Sequence, residues 1–226
     1  MMLIVTTAAV ALLASTAIAA GAPAAAAAAL PPMIVNVTAA ADLSPQLVSL
    51  ILAEADAIWR PNGVTFAWRR AARVVVPYAL ASETGPYVPN TLRLTIGGQR
   101  APGRGGMMPL GWIVFDDVAA PAQEIYLSHA NAEALLGDSR GVVGIASQMP
   151  IVQRETLTAR ALGRALAHEL GHYLLASKVH TRRGLMKAAL SAVELFNADA
   201  RGLRIDPDQR NTVAARLRGE PLVASR

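Results

Sequence analysis

The sequence predicts a mixed α/β (α+β) fold: a twisted, mostly N-terminal sheet backed by helices, a long histidine-bearing helix and a small helical C-terminal part. Three observations carry this. Short alternating apolar runs lie before residue 130, long runs with helical period lie after 150, and the chain opens strand–helix–strand. Its 226 residues suffice for one sizeable domain with a real core. Apolar residues reach 53% but aromatics only 4%, so that core is built from Leu, Val, Ile and Ala.

Residues 1–29 contain no charged side chain. An apolar run followed by Ala17-Ile18-Ala19, the A-x-A form that signal peptidase accepts, predicts a secretory leader and a secreted or periplasmic protein. Leu3 to Ala20 is also just long enough for an uncleaved anchor. No second stretch is expected to cross a membrane, and 30–226 is expected to be a single domain.

Met33 to Thr38 reads as a strand. Ser44-Pro45 starts a helix, with Ser as N-cap and Pro in the first turn. Leu47, Leu50, Ile51, Glu54, Ala55 and Ile58 keep helical spacing to Trp59, and Pro61-Asn62-Gly63 stops it. Strands are expected at Val64–Trp68, briefly at Val74–Val76, at Thr91–Ile96, at Trp112–Phe115 and at Glu124–Ser128. Gly97 to Gly111 is glycine-rich but lacks the Gly-Lys-Ser/Thr of a phosphate loop, so it reads as a flexible surface loop bordering a cleft. Asp116-Asp117 is read as a turn-capping pair, not a calcium site. His129 is read as a helix-start or surface residue. A long helix is expected from Gln153 to Ala176, another from Ala188 to Ala200, and a last one opening at Asp206-Pro207 and ending near Arg218.

The formal charge is +5, but the arginines are scattered and form no aromatic-interleaved stripe. The expected partner is therefore a peptide or protein, not nucleic acid. There is no cysteine, which excludes disulfides and thiolate ligands and leaves His, Asp and Glu to bind a metal.

Three of the four histidines lie in HELGHYLLASKVH, residues 168–180. Positions i and i+4 share a helix face, so His168 and His172 point the same way. Glu169 is turned about 100° from His168 and can address a water instead of joining them as a ligand. This is the H-E-x-x-H arrangement of zinc hydrolases, two imidazole ligands and a carboxylate base. Burying these groups without partners would be costly, which favours a Zn2+ site.

From His168 to Met186 the chain resembles the metzincin group of zinc peptidases, and more generally secreted bacterial metalloproteases. The pattern there is H-E-x-x-H-x-x-G-x-x-H followed by a methionine turn. His168, Glu169 and His172 match. Leu175 stands at the glycine position and Lys178 at that of the third histidine, while His180 comes two residues later. Without the glycine, the helix is expected to run on half a turn and the loop to return more gently. Gly184-Leu185-Met186 is similar to the methionine turn.

The resemblance implies a zinc-dependent endopeptidase. His168, His172 and His180 would hold the metal, Glu169 would be the catalytic base, and Met186 would pack beneath. Substrate would lie along a sheet edge drawn from Trp112 to Ser128. Glu194 competes with His180 as third ligand, and Asp199 more weakly. A catalytically inactive zinc-binding surface or partner-binding module is the alternative function.

Three neighbouring positions complete the reading. Arg164, in an i+4 ladder with Arg160, His168 and His172, is read as a solvated rim residue, with binding of a substrate carboxylate as the alternative. Tyr173 is expected to pack. Gly163 and Gly171 each weaken the helix by about 1 kcal/mol, which close approach of a strand or loop would explain.

Overall fold

Alternating apolar residues build the sheet, and one of its faces makes the core. In the computed structural model, which describes residues 30–70, 91–100, 108–117 and 120–220, the strands are β1 (Met33–Ala39), β2 (Phe66–Arg70), β3 (Thr91–Gly97), β4 (Gly111–Asp117) and β5 (Ala120–Ser128). Their order is β2-β1-β3-β5-β4; all neighbours are parallel except β4, which runs antiparallel to β5. Met33, Val35, Val37, Leu92, Leu94, Ile96, Ile125 and Leu127 are buried, while the residues between them are not. Period two thus turns one face of each strand toward the helices.

Two helices cover that face. Helix α1 (Pro45–Trp59) starts at Ser44, whose hydroxyl accepts from Leu47 N–H at 3.0 Å. The same hydroxyl donates to Glu155 of α4 (Ile151–Leu175) at 2.8 Å and ties the two helices together. Leu47, Ile51, Ala55 and Ile58 from α1, and Leu162, Leu166 and Leu170 from α4, join the strand residues in one core. Each such side chain larger than alanine contributes about 1.5–3 kcal/mol by leaving water. Gly163 permits the close crossing of α1 and α4: a Cβ there would lie 2.8 Å from the Ile51 carbonyl oxygen. The close neighbour is thus a helix, not the expected strand or loop.

The remaining helices are α2 (His129–Asp138), α3 (Arg140–Val143), α5 (Ala192–Phe196) and α6 (Pro207–Leu217). His129 opens α2 behind the N-cap Ser128. α6 has a complete capping box, Asp206 with Gln209. Among the described residues, no helix is long and apolar enough to cross a membrane.

Several expectations change. β2 begins two residues late, because Gly63 (φ 78°) closes a 3-10 turn and Val64 is spent on burial; Thr65 still offers its carbonyl to Met33 N–H at 2.9 Å. The helix expected from Ala188 to Ala200 shrinks to α5. Ser191 caps its start, and Arg160 and Arg164 take the carbonyls of Phe196, Glu194 and Asn197 at its end. Both ends of the glycine-rich segment are pinned: Ser128 donates to Gln99 O at 2.8 Å, and Asn131 donates to Pro109 O at 2.9 Å. The leader, the strand at Val74–Val76 and residues 101–107 lie outside the described residues.

Candidate metal centre

The site is built on α4 and on the chain that follows it. Helical spacing stacks His168 and His172, and their Nε2 atoms are 3.0 Å apart. The loop after α4 brings back His180, whose ring stacks on His168 (centroids 5.4 Å apart, 12° between planes) and meets His172 edge-on at 4.9 Å. One nitrogen from each of the three rings lies within 4.8 Å of the other two.

The second nitrogen of each helical histidine fixes its tautomer. His168 Nδ1 faces the Leu185 carbonyl at 2.8 Å, and His172 Nδ1 faces the Ser177 carbonyl at 2.6 Å. A carbonyl only accepts, so each Nδ1 carries the proton. Burial pushes the His168 pKa down to about 4 and lowers that of His172, so neither ring is a cation at neutral pH. Two Nε2 lone pairs therefore confront each other, an arrangement that a cation between them relieves. Tetrahedral zinc with three imidazoles places their nitrogens about 3.3 Å apart. The donor set fits zinc, and the paired carbonyls are the orienting partners such ligands usually have.

Glu169, one residue after His168, lies against strand β4 of the sheet. Its carboxyl accepts from the Ile113 N–H of β4, and burial pushes its pKa up to about 8, partly opposed by that hydrogen bond. Gly111 lets β4 lie this close: a Cβ there would be 2.8 Å from Leu127 and 3.3 Å from Glu169 Cγ. β4 is the last strand of the described sheet, and it lies next to the histidines. Phe115 of β4 meets the His172 ring edge-on at 6.4 Å.

The loop's shape comes from two turns and one hydrogen bond. α4 ends at Leu175, and Ala176 takes the left-handed conformation (φ 49°, ψ 43°). The return is therefore sharp, not the gentle one expected, and alanine makes it one residue after the position where the resembled pattern has glycine. The turn is what carries the Ser177 carbonyl back to His172. At the other end Gly184 (φ 83°) abuts the Arg204 carbonyl, where any side chain would collide. Thr181 N–H donates to Met186 O at 2.7 Å and closes the loop. Met186 is buried against Gly171, whose missing side chain makes room for its sulfur, on the helical turn between the two histidines. This loop approach is the one expected of Gly171. Tyr173 packs as expected, 3% exposed.

Left-handed alanine costs about 1–2 kcal/mol. Ala176→Gly should therefore stabilise the protein by about 1 kcal/mol after glycine's extra unfolded-state entropy is deducted. Urea unfolding of the two proteins checks this. A destabilised glycine variant would mean that the turn is not strained.

One residue is placed differently from expectation, and the two competing ligand candidates have other partners. Arg164 is neither a solvated rim group nor open to substrate: it is fully buried, pairs with Glu54 at 2.9 Å and donates to the carbonyls of Glu194 and Asn197. Helical period alone put it beside the histidines; contacts with α1 and α5 claim it instead. Glu194 completes the α5 capping box with Ser191 and pairs with Lys187 at 2.6 Å. Asp199 pairs with Arg201 at 2.8 Å. The Ser177 and Leu185 carbonyls and the Ile113 N–H were not read from the sequence, because backbone groups leave no residue-type signal.

No protein-family model matches the sequence, and no curated protein matches it. Among solved structures, the fold is similar to that of archaemetzincin from Methanopyrus kandleri, with a TM-score of 0.50 and 15% identity over 83% of this chain and 96% of that one. The sheet backed by helices, with the histidine-bearing helix beneath its edge, is thus similar in fold to that structure.

Proposed function

We propose that the chain is an exported zinc-dependent endopeptidase. The observation that carries this is the convergence of three imidazole nitrogens within 4.8 Å, with Glu169 on the same helix one position after the first of them. His168, His172 and His180 would hold the ion; Glu194 is committed to Lys187 and Ser191. Zinc in such a site supplies Lewis-acid polarisation and makes water acidic enough to react near neutral pH.

The protein's own groups do the rest. Leu185 and Ser177 hold two imidazoles with their lone pairs inward. Glu169 Oε takes a proton from the attacking water and returns it to the leaving amine nitrogen. A neighbouring positive charge favours its carboxylate form, against the desolvation that raises its pKa. The open side of β4 supports an extended peptide by adding it as a further strand. Export rests on the uncharged first 29 residues.

Metal analysis tests the ligand set. The purified chain should hold one zinc per molecule and cleave a mixed peptide pool in a chelator-sensitive way. His180→Ala should weaken zinc by more than the about 10–100-fold that loss of an outer hydrogen-bond partner costs. Glu194→Ala should leave it bound. Zinc retained in His180→Ala and lost in Glu194→Ala would reverse the assignment. A zinc-loaded chain that cuts no peptide would leave a binding module.

A further inference from the structure

We propose that Lys178 binds a substrate carboxylate, so that the site takes acidic peptides; this rests on the peptidase reading above. Between Glu169 and Glu194 the chain has no acidic residue but carries Lys178, Arg182, Arg183 and Lys187. Lys187 is neutralised by Glu194 at 2.6 Å. Lys178, Arg182 and Arg183 are exposed and have no ion-pair partner among the described residues. The loop that wraps the three histidines therefore presents unbalanced positive charge to anything entering the site.

Lys178 is the best placed of these cations. Its Nζ lies 5.0 Å from the centroid of the Phe115 ring, and that ring meets His172. The ammonium is thus one aromatic ring away from the metal centre, beside the open strand β4. A cation resting on a ring face is steered without being neutralised, since the ring offers a quadrupole and no charge. It remains free to pair with a carboxylate on a peptide laid along β4. Asp116, next to Phe115, makes no ion pair among the described residues. Arg164, the other cation that helical spacing brings to this region, is closed off inside the fold. A positive rim also raises the encounter rate of acidic peptides, an effect that falls with salt over the Debye length of about 8 Å at physiological ionic strength.

The carboxylate can belong to an Asp or Glu side chain or to a peptide's C-terminus, and three matched peptides separate these. One carries Glu residues around its centre and an amidated end, one carries Gln there with an amidated end, and one carries Gln with a free end. Binding is read by fluorescence anisotropy on the zinc-loaded Glu169→Gln chain and cleavage on the wild type. The Glu peptide should bind and react about fivefold better than its amidated Gln counterpart, the range of one exposed ion pair. Lys178→Met should bring that ratio to about one, Lys178→Glu should invert it, and Arg210→Met, on α6, should keep it. A gain confined to the free-ended peptide assigns the carboxylate to the C-terminus.

Equal binding of all three peptides overturns the inference. So does a preference that survives Lys178→Met, or a single-stranded oligonucleotide that binds as tightly as the Glu peptide. If no peptide is cut but binding still follows Lys178, the hydrolytic reading fails and the carboxylate contact stands.

Discussion

Glu169→Gln should keep zinc bound and lower peptide hydrolysis by about 10²–10⁴-fold, the usual contribution of a positioned acid–base group. Glutamine has nearly the same shape, and its amide oxygen still accepts from Ile113 N–H, so the packing against Gly111 and β4 is retained. Only the capacity to take a proton is removed. Burial already raises the Glu169 pKa to about 8, which is a cost of holding charge there. A neutral amide escapes that cost, so the variant should be no less stable than the wild type. Zinc content, melting temperature and kcat measured on the same preparation make the comparison clean. Normal zinc, normal stability and lost turnover identify the base; normal turnover removes Glu169 from the chemistry and leaves the raised pKa as a consequence of burial alone.

The paired histidines were legible because helical period is local: a separation of four residues needs no knowledge of the rest of the chain. Met186 was singled out by its resemblance to a methionine turn, and Gly171, like Gly163, as a helical glycine that called for a close neighbour; that the two meet is a tertiary contact the sequence did not show. What the sequence could not show is how tertiary contacts overrule local preference. Ala176 is a poor choice for a left-handed turn, yet the loop anchored at Thr181 and Met186 holds it there. Leu175 stands at the resembled pattern's glycine position and stays helical, but the chain turns at Ala176, where the helix was expected still to run, so reading residue types put the turn too late and made it too gentle. α5 was overextended because Ala188 to Ala200 is compatible with a helix throughout; its C-terminal end is set by two arginines distant in sequence. Most of α2 was missed because its apolar pattern is weak and its start depends on Ser128, which also pins the preceding loop.

Arg164→Ala should cost about 3 kcal/mol of stability, the low end for removing one partner of a buried ion pair. The low end applies because Glu54 keeps 23% of its side chain exposed and can recover water when the guanidinium is gone. Two carbonyls, of Glu194 and Asn197, lose their donor as well. For a chain of this size the melting temperature should fall by roughly 6–12 °C. Lysine is no substitute, since one ammonium cannot serve a carboxylate and two carbonyls in the plane the guanidinium spans.

The loss should also be local before it is global. α5 has five residues, too few to persist without outside support, and its C-terminal carbonyls are held by Arg160 and Arg164. Amide exchange in residues 192–197 should therefore accelerate in Arg164→Ala while α1 and the body of α4 stay protected. Combining Glu54→Leu with Arg164→Met separates the two contributions. That pair removes the stranded charge but not the need of the α5 carbonyls, so it should recover part of the stability and none of the α5 protection. Full recovery of both would mean that Arg164 serves only to neutralise Glu54, and that α5 is held by Arg160 and its apolar contacts alone.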